Sequence, residues 1–182
     1  MVDINEILCN MDKYAKEFSE GEPQLEKTLK KLWENEFVTI GCCKGHGDHR
    51  RQYIGIKRKD NRKIVKLLSA LNKEDITITF LFKNVVIKKN KESDIYFNVL
   101  DSLEKLDDIK IDEDILKVID FIDNNNYDYT NIRFYYYKGV LNKYVNTCDV
   151  DLINVLKNKY DYKIIASSLF GRNLPVYHFI IE

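Results

Sequence analysis

The sequence has few of the residues that break or cross-link a chain. It contains only two prolines and seven glycines, which argues against flexible linkers, collagen-like repeats and low-complexity segments. Its four cysteines are too few and too unevenly spaced for the disulfide framework of a small secreted protein. They are Cys9, Cys42, Cys43 and Cys148. We therefore expect a protein of a reducing compartment, the cytoplasm.

Long hydrophobic runs are also missing. No stretch approaches the roughly 18 apolar residues that a transmembrane helix needs, and the first residues resemble an amphipathic helix more than a signal peptide. Hydrophobic residues nevertheless make up 45% of the 182 positions, and a chain of this length buries roughly two thirds of its unfolded surface. We expect a single domain over residues 1–182, with 1–91 and 92–182 as candidate sub-units.

The spacing of the apolar residues predicts an α+β fold, with helices packed on a mixed or antiparallel sheet. Helical spacing covers residues 3–19, 23–35, 60–71, 94–106, 112–124 and 149–159. Strand-like segments cover residues 37–43, 52–57, 76–82, 85–89, 132–137, 140–145, 162–167 and 176–181. The order helix, strand, loop, strand occurs over 25–57 and again over 149–182, which suggests two related helix–strand–strand units.

The net charge of zero conceals two oppositely charged segments. Residues 44–66 hold nine Lys and Arg against two acids, whereas residues 92–128 hold twelve acids against three Lys. Each run is either the solvated face of an element or a surface for a partner. The candidate partner-binding residues in these runs are Lys44, Arg50, Arg51, Arg58, Arg62, Asp112 and Asp114.

The segment GCCKGHGDH at residues 41–49 concentrates four of the seven Cys and His residues. Cys43, His46 and His49 follow one another at three-residue steps and offer the N and S ligands that zinc prefers. A fourth ligand is absent from the segment, so such a site would have an open position. The alternatives are a Cys43 thiol activated by His46, a cysteine packed in the core, or a basic loop that contacts phosphates or an acidic protein.

Tyrosines crowd the stretch from residue 127 to residue 144. If residues 132–137 form a strand, Tyr135 and Tyr137 share a face with Arg133. Aromatic rings beside an arginine on a sheet can stack nucleic-acid bases or anchor a protein interface, and they also occur as core residues whose hydroxyls reach water. Tyr135 and Tyr137 are therefore further candidates for partner binding. No phosphate-loop, dinucleotide-binding or hydrolase motif is present in the sequence.

The segment LKKLWENEFVTIGCCKGHGDHRRQYIGIK resembles a pattern in small proteins of low-GC Gram-positive bacteria and their phages. In that pattern a helix ending in Leu-Trp precedes a strand, a Cys-x-Gly-His turn and a Tyr-Ile strand. Cys43, Gly45, His46, Tyr53 and Ile54 occupy these positions.

The whole chain, rich in Lys, Asn, Ile and Tyr and divided into charged segments, also resembles phage or mobile-element anti-CRISPR proteins. The type that it resembles is the clostridial type II-A inhibitor. This resemblance implies a cytoplasmic protein of a bacterial host that binds a type II RNA-guided nuclease, with or without guide RNA, and inhibits cleavage of target DNA.

Such an inhibitor acts by protein–protein contact, with nucleic-acid contacts through the basic segment, and needs neither a membrane nor a cofactor. The alternative is a zinc- or thiol-dependent enzyme centred on Cys43, His46 and His49. We expect a binding protein rather than an enzyme.

Overall fold

The computed structural model describes residues 4–43, 52–71, 76–81, 83–89, 95–125, 130–137, 140–166 and 174–181. These segments form seven α-helices, a short 3-10 helix at Leu106–Asp108 and eight β-strands. The helices are α1 (Ile4–Cys9), α2 (Met11–Phe18), α3 (Pro23–Glu34), α4 (Asn61–Ala70), α5 (Ile95–Glu104), α6 (Glu113–Asn124) and α7 (Val150–Lys157). The strands are β1 (Thr39–Cys43), β2 (Tyr53–Lys57), β3 (Ile76–Phe80), β4 (Asn84–Lys89), β5 (Thr130–Tyr137), β6 (Val140–Thr147), β7 (Tyr162–Ala166) and β8 (Pro175–Ile181).

The eight strands lie in one antiparallel sheet in the order β1-β2-β4-β3-β5-β6-β8-β7. Each half contains two strand pairs with a helix between them in the chain: α4 follows β2 and precedes β3, and α7 follows β6 and precedes β7. Strands β3 and β5 join the halves. The two segments with the order helix, strand, loop, strand supply the pairs at the two edges. The structure confirms the predicted α+β class, and the sheet is antiparallel.

One face of the sheet, the helix face, carries the hydrophobic core. Its central row of paired residues crosses all eight strands. The row consists of Thr39, Ile56, Val85, Phe80, Ile132, Val145, Phe179 and Tyr162. Most of this row is buried in the same cluster as the apolar stripes of the helices, including Leu29, Trp33 and Leu156. Because successive side chains of a strand alternate, the residues next to these core positions along each strand lie on the opposite face.

Side-chain caps begin several helices where the sequence places an acidic residue. The carboxylate of Asp60 accepts a hydrogen bond from the backbone N–H of Lys63 at 3.2 Å, and that of Asp112 accepts one from Ile115 at 3.1 Å. Asp149 caps α7 in the same way. Caps satisfy the first N–H groups of a helix, which have no partner inside it.

The first predicted helix is divided in two. A single helix was expected over residues 3–19, but α1 ends at Cys9 and α2 begins at Met11. The side-chain amide of Asn10 donates to the carbonyl of Glu6 at 3.3 Å. Asparagine bonds locally to the backbone in this way and competes with the regular helix. The break therefore follows from one residue that apolar spacing does not register.

Candidate functional site

The basic and acidic segments of the chain partly neutralise each other, because α4 packs against α6. Arg58, just before α4, forms an ion pair with Asp123 of α6, and only 8% of its side chain is exposed. Its guanidinium also donates to Leu81 O at 3.0 Å and to Asn61 Oδ1 at 2.9 Å. Asn61 in turn donates to Asp123 at 2.8 Å. Arg58, a candidate for partner binding, is thus held inside the protein.

The other predicted charged residues in this region are closer to solvent. Arg62 pairs with Glu113 at 2.8 Å, and both side chains are more than half exposed. Lys63 pairs with Glu36 at 2.9 Å. Asp112 is occupied as the cap of α6. Arg62 therefore remains accessible to a partner, although it already has an acidic neighbour. We call the contact made by Arg58, Asn61, Asp120 and Asp123 the charge-paired contact.

Several predicted site residues cannot be located in three dimensions. Lys44, His46, His49, Arg50 and Arg51 lie outside the described residues. Cys43, Asp114 and Tyr137 are described in their backbone only, in β1, α6 and β5 respectively. Among the side chains that the structure describes, no group of three or more His, Cys, Asp or Glu could hold a metal ion. The zinc or thiol site at Cys43, His46 and His49 stays a prediction.

The side of the sheet opposite the helix face, the open face, has an unusual composition. None of the eight described strands contains an aspartate or a glutamate, although the chain has 29 acidic residues. The strand register places the cations Lys57, Lys88, Arg133 and Lys163 on the open face. Positive charge there is consequently not matched by a carboxylate on any neighbouring described strand.

Three aromatic rings form a stack on the open face across β5, β6 and β8. The rings of Tyr135 and Tyr144 are 6.0 Å apart at an interplanar angle of 18°. Tyr144 stacks in turn on His178, with centroids 4.6 Å apart at 29°. We call these residues the aromatic stack. Since the inner ring faces cover one another, a planar ligand can extend the stack only at its two ends, beside β3 or beside β7.

Two asparagines fix the orientation of the histidine at one end of the stack. Asn146 Nδ2 donates to Asn131 Oδ1 at 2.8 Å, so the oxygen of the Asn146 amide is turned toward His178. His178 Nδ1 lies 2.6 Å from that oxygen and must donate to it. The neutral ring therefore has its proton on Nδ1, which leaves Nε2 as an acceptor. A fixed tautomer gives this end of the stack a defined hydrogen-bonding character.

Burial and neighbouring charge alter the titration of two members of the stack. Burial lowers the pKa of His178 below its ordinary value, and the positive charges of Lys163 and Arg133 lower it further. Burial also raises the pKa of Tyr144, and the hydroxyl of Tyr135 adds to this effect. Both groups are consequently neutral at physiological pH. The formal charge of the open face then comes from its lysines and from Arg133.

Arg133 lies at the centre of the open face, paired with Thr79 on one side and Tyr144 on the other. Its Nε atom is buried and has no hydrogen-bond partner among the described residues. Buried polar groups are nearly always hydrogen-bonded. The side-chain oxygens of Asn131 and Asn146 accept hydrogen bonds from Asn146 and His178, and neither bonds to Arg133 Nε. Arg133 thus differs from Arg58, whose donors have acceptors in the charge-paired contact.

Sequence reasoning found part of this site and missed the rest. Tyr135 was a candidate because it is two positions from Arg133 and so shares its face of the strand, and the structure places both residues on the open face. Tyr144, Asn146 and His178 were not candidates, because their proximity depends on how β5, β6 and β8 pair. One signal in the sequence could have indicated the face: every predicted strand of the second half lacks Asp and Glu.

Comparisons with known proteins do not assign this chain to a family. No family model matches it, and no similarity to a curated protein or to a solved structure was found. No helix in the described part of the chain has the length and apolar character needed to cross a membrane. The geometry of the open face is therefore the best indication of what the protein binds.

Proposed function

We propose that this protein is a binding protein whose open face binds nucleic acid. The observation that carries the proposal is the absence of carboxylates from all eight described strands, on a face that holds four cations and an aromatic stack. Phosphates supply most of the affinity of proteins for nucleic acid, and they are attracted by Lys and Arg. Nearby carboxylates would oppose that attraction.

The composition of the face also fits the neutral parts of a nucleotide. Aromatic rings stack on bases of any sequence, and asparagine and threonine side chains form hydrogen bonds with bases and sugars. Asn142, Thr77 and Thr79 lie in the rows that contain Tyr135 and Arg133. An acidic protein partner would use the lysines but would have less use for a stack of rings. Nucleic acid therefore explains more of the face than an acidic protein does.

The proposal is tested by fluorescence anisotropy with labelled 12-nucleotide single strands of DNA and RNA at increasing salt. We expect binding that weakens as salt rises, and Lys88→Gln and Lys163→Gln should each reduce the slope of log K against log salt by about one. Lys31→Gln is the matched control, because Lys31 lies on α3, outside the open face, and pairs with Glu34. Absence of binding at micromolar protein and low salt would reject the proposal.

The aromatic part of the face has its own pair of variants. Tyr144→Leu removes the ring against which both end rings of the stack pack, and we expect an affinity about tenfold lower, in line with the loss of one base–aromatic contact at an end of the stack. Tyr162→Leu is the control, since Tyr162 is a 45% exposed tyrosine on the helix face. Equal losses for the two variants would show that binding does not depend on the open face.

A type II RNA-guided nuclease is the partner that the resemblance to anti-CRISPR proteins implies. Complexes of this class hold a guide RNA and displace one DNA strand, and both are nucleic acids that an open sheet face can contact. In this setting the protein inhibits target cleavage by binding the nuclease with its nucleic acid. Purified protein in micromolar excess should co-elute with the effector and slow cleavage. Failure of both assays would reject the nuclease as the partner but would not contradict the proposal that the protein binds nucleic acid.

A further inference from the structure

The unpaired Nε of Arg133 is the strongest indication of what the open face lacks in the free protein. A buried donor without an acceptor loses its hydrogen bond to water and gains nothing in return. The charge-paired contact shows how the same chain treats an arginine that serves folding, because Arg58 donates to Leu81 and Asn61 and pairs with Asp123. The Nε of Arg133, by contrast, has no acceptor among the described residues, although Arg133 lies at the middle of the sheet.

The surroundings of Arg133 define the chemistry of the missing acceptor. Its partners in the strand register are Thr79 and Tyr144, and no described strand offers a carboxylate. Burial lowers the pKa of His178, and the positive charges of Lys163 and Arg133 lower it further, so both cations lie close enough to act on this end of the aromatic stack. An acceptor that suits such a place is anionic. The anionic acceptor must also be small enough to fit next to the rings of the aromatic stack.

We infer that Arg133 is the phosphate-binding residue of the open face, and that its ligand is a phosphodiester of single-stranded nucleic acid; this rests on the proposed function. A guanidinium presents Nε–H and Nη–H as a fork that donates to two oxygens of one phosphate. Arg133 is partly exposed but its Nε is enclosed in the free protein, so its side chain turns toward the ligand on binding and the Nε–H then gains its acceptor. Unpaired bases of the same strand extend the aromatic stack, whereas the bases of a duplex already stack on one another.

The inference separates the roles of Arg133 in binding and in stability. Arg133→Lys retains the charge and removes the fork, and Arg133→Met removes both while keeping a long apolar stem. We expect Arg133→Lys to bind a 12-nucleotide single strand about tenfold more weakly, as the loss of a charge-assisted hydrogen bond predicts. Arg133→Met should bind more weakly still. Neither variant should lower the urea midpoint of unfolding, because the Nε that they remove has no partner in the free protein.

A direct measurement follows the Nε–H group itself. In the nitrogen–proton NMR spectrum of arginine side chains, one Nε–H signal should be absent from Arg133→Lys. That signal should shift and exchange more slowly with water when the single strand is added to the unaltered protein. Addition of the same sequence as a duplex should change it less, because the duplex does not offer unpaired bases to the stack.

The outcomes distinguish the inference from the proposal on which it rests. Arg133→Lys binding within twofold of the unaltered protein, while Lys88→Gln and Tyr144→Leu lose affinity, would overturn the inference and leave the proposed function intact. A clear drop in the unfolding midpoint of both Arg133 variants would also overturn it, since Arg133 would then serve folding. If the unaltered protein binds no single strand, the inference and the proposed function fail together.

Discussion

Two regions of this protein use arginine in opposite ways. In the charge-paired contact between α4 and α6, Arg58 is almost fully buried and is surrounded by Asp123, Asn61 and a backbone carbonyl. On the open face, Arg133 has a buried Nε without a partner and no carboxylate on the neighbouring described strands. A charged side chain whose donors all have acceptors within the protein stabilises the fold. A charged side chain with a donor that lacks an acceptor is available to a ligand.

The comparison also reinterprets the division of the sequence into a basic and an acidic segment. Each segment was either a solvated face or a surface for a partner, and in the structure Arg58, Arg62 and Lys63 all pair with carboxylates of this chain. Of the four open-face cations, only Lys57 belongs to the basic segment; Lys88, Arg133 and Lys163 come from strands farther along the sequence. The density of charge along the sequence therefore does not indicate the charge of a surface. The charge of a surface depends on which charged residues are paired with opposite charges in the folded protein.

The largest effect is expected from breaking the charge-paired contact. Arg58→Met removes the cation and leaves Asp123 without its ion pair, and we expect the free energy of unfolding to fall by about 3 kcal/mol. The reason is that a carboxylate in a partly buried position loses its compensating charge. Urea unfolding measures the change. The affinity of the folded protein for a single strand should stay within twofold, since Arg58 is not on the open face.

The matched control for this change removes both charges. Arg58→Met combined with Asp123→Asn leaves no unpaired charge, so the double variant should recover part of the stability that the single variant loses. A double variant less stable than the sum of the two single variants would contradict this account of the contact. A large loss of nucleic-acid affinity in Arg58→Met, measured where the protein is folded, would contradict the division into two regions.

A smaller effect is expected from pH, and its sign differs between stability and binding. The pKa of His178 is lowered in the folded protein, from an ordinary value of 6.5. Its contribution to stability is therefore complete above pH 6.5 and is lost as the pH falls, because the unfolded chain takes up a proton that the folded ring resists. Affinity for a single strand should rise over the same range, because protonated His178 adds a positive charge beside Lys163 and Arg133.

The pH effect is measured by urea unfolding and by anisotropy at about pH 7.5 and about pH 5.5, on either side of the ordinary histidine value. His178→Gln is the control, since glutamine can still donate to Asn146 but does not titrate in this range. The variant should lose most of the rise in affinity and show a weaker pH dependence of stability. Identical pH profiles for the variant and the unaltered protein would show that another group is responsible.

The fold could be predicted from the sequence because its signals are local. Apolar residues at helical spacing marked α2 to α7, and alternation marked the strands, including the β5–β6 pair. The order of the strands could not be predicted, because it depends on pairings such as β3 with β5, which lie far apart in the chain.

The site could be predicted only where it depends on one strand. Arg133 and Tyr135 are two positions apart in β5, and side chains two positions apart in a strand lie on the same face. His178 is 32 positions from Asn146 along the chain, and nothing local indicates that the two residues meet. For the same reason the sequence did not indicate the ion pair of Arg58: it is one of many cations in the basic segment, and its partner Asp123 lies far along the chain in α6. Chemistry that depends on non-local pairing requires the three-dimensional structure.

The smallest effect is expected from the pair at the rim of the charge-paired contact. Arg62 and Glu113 are 2.8 Å apart, as close as a strong ion pair, but their side chains are 60% and 54% exposed. Water and salt screen such pairs, so Arg62→Gln should change the free energy of unfolding by about 0.5 kcal/mol or less. Urea unfolding of Arg62→Gln beside Arg58→Met measures the contrast. Equal losses would mean that burial of the partners does not separate structural arginines from available ones, and the assignment of Arg133 would lose its basis.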